Sequence, residues 1–179
     1  MRALISNALF ILFLSAATVS QANWDPAEAE EQRKKAEAAK AALLEQDPDM
    51  QRFFNASVGY VVLPTVGKGG IGIGGARGKG VLYEGGAITA TVTMTQLSIG
   101  FQWGGQAYSQ FIFFEDQATL NTFKQGNYEL NAQVSAVAVT LGASADASFE
   151  DGMAIFTMAK GGLMYEAAVG GQKFKVSPR

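Results

Sequence analysis

The chain has 179 residues, 21 of them Gly, with no Cys and no His and only 17% charged side chains. Without Cys there is no disulfide partner, thiolate nucleophile or iron–sulfur site, and without His there is no Ser–His–Asp triad, imidazole base or H-E-x-x-H zinc site. The formal charge of −2 and pI of about 5.2 argue against a general nucleic-acid binder. No cofactor and no metal are expected.

The N-terminus reads as a secretory signal. Arg2 gives a positive start, Ala8 to Leu14 is an unbroken apolar run, and Ser20-Gln21-Ala22 supplies small residues for cleavage at Ala22-Asn23. The expectation is an exported protein of the periplasm or cell envelope. The remaining chain divides into a charged helix over residues 23–46 and a single domain over 47–179.

The helical segment carries most of the acidity. Asn23 to Met50 holds eight acids and four bases, whereas Gln51 to Arg179 holds nine bases and eight acids. Asp25 can cap the helix and Pro26 suits its first position. Glu30–Lys34 and Glu31–Lys35 are favourable i,i+4 pairs. The apolar face of the helix is mostly Ala until Leu43 and Leu44, so a solvated helix docked by its C-terminal end is expected. Asp47-Pro48 starts a second helix that turns Met50, Phe53 and Phe54 toward a core.

From Ser57 the apolar period becomes two. Val58 to Leu63 reads as a strand ended by Pro64. Ile88, Ala90, Val92 and Met94 alternate with Thr, and Leu97, Ile99, Phe101 and Trp103 continue the alternation. Gln106 to Phe114 is another strand after Gly104-Gly105. Asp116 to Gln125 is a short helix stopped by Gly126, and Asn127 to Leu141 reads as a long strand. Met153 to Ala159 and Leu163 to Ala168 flank Lys160-Gly161-Gly162 as a hairpin. The sum is an α+β fold: a β-rich antiparallel sheet, strongly curved or barrel-like, with two N-terminal helices and one inserted helix. The uncharged run Gly85 to Phe114 fits such a sheet.

Val66 to Gly86 is the densest glycine segment. Gly70, Gly72 and Gly75 match GxGxxG, but strand-like sequence follows where a dinucleotide fold needs a helix. Gly78-Lys79 is followed by Gly80, which excludes a Walker A loop. For most of these glycines the expected role is tight turning, sheet curvature and close backbone approach. The functional alternative is an anion-binding backbone loop at Gly67, Gly69, Gly70 and Gly78, beside Lys68, Arg77 and Lys79. Thr65 to Gly70 and Thr157 to Gly162 share T-x-x-K-G-G, which would set Lys160 in a corner equivalent to that of Lys68.

Three stretches carry a family likeness: GYVVLPTVGKGGIGIGGARGKGVLY (Gly59 to Tyr83), TQLSIGFQWGGQAYSQFIFFED (Thr95 to Asp116) and FTMAKGGLMYEAAVGGQKF (Phe156 to Phe174). Together they resemble the SYLF-domain family. The resemblance implies lipid binding, with phosphoinositide binding in eukaryotic members, actin binding in fungal ones, and an exported single-domain form in bacteria. It implies lipid headgroup contact at Lys68, Arg77, Lys79 and Lys160, and an anionic membrane phospholipid as partner. An exported chain would not meet cytoplasmic actin.

The functional expectation is therefore a non-enzymatic lipid-binding protein of the bacterial envelope, using a Gly-rich basic loop. The alternative is a structural or assembly protein of the envelope, including a small outer-membrane β-barrel. No catalytic residues are expected. Glu115/Asp116 and Glu150/Asp151 sit at turns and helix starts, where capping explains them.

Overall fold

A computed structural model describes residues 25–71, 73–99, 106–131, 134–161 and 169–179. The signal sequence and its cleavage point, Gly72, the Phe101 to Gly105 break and the Leu163 to Ala168 arm lie outside the described residues.

Helix α1 spans Pro26–Gln46 and starts as its sequence predicts, with the Asp25 carboxylate accepting from the Ala27 N–H at 2.9 Å. Lys35 pairs with Glu31 at 2.5 Å, while Glu30 turns to Arg33 at 2.7 Å instead of Lys34. The helix docks along its whole length rather than by one end. Ala29, Ala36 and Ala39 are buried together with Leu43, and α1 packs on the first two strands. Alanine permits this, because a side chain ending at Cβ lets the helix axis approach the sheet closely. A 3-10 turn (Pro48–Met50) leads into α2 (Gln51–Ala56), which buries Phe53 next to the buried Met50.

The strands are β1 (Gly59–Ile71), β2 (Ile73–Glu84), β3 (Ala87–Ile99), β4 (Gln106–Phe114), β5 (Tyr128–Glu129), β6 (Val137–Ala138), β7 (Met153–Ala159) and β8 (Lys173–Pro178). Helix α3 (Gln117–Lys124) sits between β4 and β5, capped by Asp116 and followed by Gly126 at φ +82°. The sheet order is β5-β8-β3-β2-β1-β4-β7-β6, antiparallel except for β6 on β7. The β-rich α+β architecture read from the sequence is borne out.

Two cores flank this sheet. One joins Val61, Leu82, Val92, Ile112, Ile155, Phe174 and Val176 with Leu120 and Phe123 of α3. Strands from both ends of the order contribute to it, so the sheet curls around it as a half-barrel. The second lies on the convex side, where Val62, Val81, Phe111, Phe113 and Phe156 meet Ala36, Ala39, Leu43, Met50 and Phe53. Burying both faces of β4 and of the first half of β1 explains why those stretches read as near-continuous apolar runs.

Two expectations are corrected. Pro64 does not end the first strand: β1 runs through it. The register shifts between Val62 and Thr65, a bulge where a residue without an N–H costs no ladder hydrogen bond. Asn127 to Leu141 is not one long strand. Its ends pair for two residues each, β5 on β8 and β6 on β7, which are opposite sides of the sheet. Among its described residues, Tyr128, Leu130, Val134 and Ala136 pack on the concave core, which accounts for the apolar alternation.

Candidate functional site: the glycine-rich hairpin

The glycine-rich segment is built as paired strands. Gly67 stands opposite Arg77 of β2 and Ala107 of β4, and Gly78 stands between Val66 of β1 and Met94 of β3. Gly69 faces Gly75 and Gly70 faces Gly74 across the same hairpin. With ladder partners on both sides, the N–H groups of Gly67 and Gly78 serve the sheet. The segment is thus a hairpin and not an open anion-binding loop.

Strand alternation sorts the four basic residues between two faces. Thr65 and Lys79 are partners on the convex face, followed by Gly67 and Arg77. Lys79 Nζ binds Glu28 of α1, which fixes this face as the helix side. Lys160 Nζ donates to Thr65 Oγ1 at 2.8 Å and joins the same face. Lys68 does not. It lies three residues from Thr65, an odd step, and so shares the concave side with its partner Ala76 and with buried Val66. The T-x-x-K-G-G likeness therefore does not bring Lys68 beside Lys160.

Arg77 and Lys79 are exposed and about 7 Å apart along β2. Gly67 and Gly69 leave bare, exposed backbone beside them. Next to this patch, a groove of about 580 Å³ runs between α1 and the sheet. Ala38, Ala42, Pro64 and Met158 give it apolar walls, with Lys35 and Lys160 at its border. Nothing in the sequence around Lys35 marks it as a site residue beyond its i,i+4 pairing with Glu31. Only the docking of α1 places it here.

Other polar side chains are structural. Lys40 Nζ lies 4.8 Å from the Tyr83 ring centroid and 5.2 Å from that of Tyr60, and donates to Tyr60 Oη at 3.0 Å. Burial, with the hydrogen bond to Glu37, pushes the Tyr83 hydroxyl far up, so it stays neutral. Inside the half-barrel, Gln110 and Gln172 exchange amide hydrogen bonds of 2.7 and 3.0 Å. Burial pushes the neighbouring Tyr108 hydroxyl up to about 12.

Residues 95–178 match the family model described as Ysc84, Las17-binding protein actin regulator. The resemblance to the SYLF family is borne out. The matched segment begins within β3 and takes in β4, α3 and β5 to β8, including Lys160. The protein described as beta cell expansion factor A, from Aeromonas veronii, is 27% identical over 150 residues, which cover 78% of this chain and 53% of that protein. The chain thus spans about half the length of that relative. This similarity to the SYLF family is consistent with lipid binding.

Proposed function

We propose that the chain is a non-enzymatic lipid-binding protein of the bacterial cell envelope, exported by cleavage at Ala22-Asn23, that recognises anionic phospholipid headgroups through its Gly-rich basic hairpin. One observation carries this reading: Arg77, Lys79 and Lys160 gather on one exposed face beside bare Gly67. Each base near an anionic membrane contributes on the order of 1 kcal/mol, so three give weak, salt-sensitive attraction. The apolar-walled groove at Lys35 and Lys160 adds room for acyl carbon.

A membrane-spanning barrel would need a continuous apolar band on its outward face. Here that face carries Arg77, Lys79 and two docked helices, which favours surface binding. The actin role in the family model's description is left with that family, because export separates this chain from cytoplasmic actin.

The test is co-sedimentation with phosphatidylcholine vesicles, with and without phosphatidylglycerol. Wild type should pellet only with the anionic vesicles, and Arg77→Glu with Lys79→Glu should remain in solution. Equal pelleting of both proteins removes the hairpin from the reading.

A further inference from the structure

The bases of the hairpin are one side of a wider array. The register carries Arg77 across Thr95 of β3 to Lys173 of β8, and Lys79 across Thr93 to Lys175. Directly opposed residues share a face, so both rows lie on the convex side. Strand spacing puts the outer members of each row about 10 Å apart, and the rows about 7 Å apart. Between them, Thr93 and Thr95 supply hydroxyls, while Val92 and Met94 turn inward to the core.

Helix α1 packs over β1 and β2, and the outward residues of this array stay accessible: Arg77, Lys79, Lys173 and Lys175 are all exposed. Two acids reach the array, Glu28 on Lys79 and Glu129 at 3.4 Å from Lys173. Among the described residues, no carboxylate forms an ion pair with Arg77 or Lys175. One row further along β3, opposite Gly75, Leu97 is 88% exposed on the same face. A large apolar side chain in water beside unneutralised bases is the pattern of a surface made to enter a headgroup layer.

We infer that the convex face of β2, β3 and β8 docks on the surface of an anionic bilayer, with Arg77, Lys79, Lys173 and Lys175 meeting several headgroups and Leu97 reaching below them. The inference rests on the lipid-binding reading and adds its partner and orientation. Bases on two strands, held apart by β3, do not converge on one phosphate. They match a plane of repeated charges.

The test uses the full chain and vesicles of phosphatidylcholine with or without phosphatidylglycerol. At about fivefold per base, Lys173→Gln with Lys175→Gln should weaken binding to the anionic vesicles about 25-fold. Leu97→Ser should weaken it further, and soluble glycerol phosphate should not compete. Circular dichroism of each variant should match wild type, since these side chains are exposed. If the double variant misfolds, Lys175→Gln alone should lose about fivefold. Unchanged binding by these Lys variants, with loss in Arg77→Glu plus Lys79→Glu, would confine contact to the hairpin and overturn the inference while sparing the lipid-binding reading. Failure of wild type to bind either vesicle overturns both. Binding to heparin without binding to vesicles would replace the membrane by a soluble polyanion.

Discussion

Of Gly67, Gly69, Gly75, Gly78 and Gly80 in the hairpin, Gly80 should be the least replaceable. It faces the β1 bulge, where Val62 pairs with Val81 and Thr65 with Lys79, so that Leu63 and Pro64 together oppose Gly80. A Cβ at Gly80 would lie 1.9 Å from the Val62 carbonyl oxygen, 2.8 Å from its carbon and 2.9 Å from Leu63 Cα. All three are backbone atoms of a strand fixed between two cores, so no side chain can swing aside. Overpacking a core costs about 1–3 kcal/mol when rotamers can adjust. Here the backbone must move by more than about 1 Å, so Gly80→Ala should cost at least about 3 kcal/mol, a fall in Tm of roughly 10 °C for a chain of this size. Gly69→Ala is the contrast. Nothing lies within 4 Å of its added Cβ, and the smaller entropy of the unfolded chain should stabilise it by about 0.4–1 kcal/mol. Thermal and urea denaturation followed by circular dichroism would measure both. Wild-type stability in Gly80→Ala would refute the bulge. Equal destabilisation by Gly69→Ala would refute the open convex face.

Three further outcomes are expected. Leu43→Ala removes a fully buried anchor of α1 and should cost about 2–5 kcal/mol in urea denaturation. Lys40→Ala removes the ammonium held over Phe54, Tyr60 and Tyr83 and should cost about 1–2 kcal/mol, with the Arg variant recovering part of it. Asp47 is buried and accepts from the Ser144 N–H at 2.9 Å and the Asp49 N–H at 3.3 Å. Burial alone would raise its carboxyl pKa, but these backbone hydrogen bonds outweigh burial and hold it below the ordinary range. A depressed carboxyl stabilises the fold above its unfolded value of about 3.9 and loses that contribution as pH falls through the folded value. Asp47→Asn should therefore be destabilised at neutral pH, with the gap from wild type closing below about pH 4. A constant gap across that range would contradict the assignment.

Local signals were legible wherever a residue acts on its neighbours. Asp25 and Asp116 cap the helices they precede, and the Thr alternation of β3 marks a strand with one buried face. Long-range consequences were not. Nothing near Pro64 announces a bulge, since its cause is the pairing of β1 with Gly80 across the hairpin. The Ala face of α1 reads as solvated until a sheet is set against it. At the site, the basic residues were visible but their facing was not. Counting by twos from Thr65 separates Lys68 from Arg77 and Lys79 only once strand pairing through the glycines is known. The alternation of Lys173 and Lys175 with Phe174 and Val176 was present in the sequence, yet its short length and terminal place concealed β8.

Lysine acetylation read by mass spectrometry, with and without phosphatidylglycerol vesicles, tests the central claim most directly. Lys79, Lys173 and Lys175 share the convex face, and Lys68 stands on the concave one as an internal control. The account predicts that vesicles slow acetylation of the first three and leave Lys68 unchanged. Protection of Lys68 with continued reaction of Lys173 and Lys175 would contradict it.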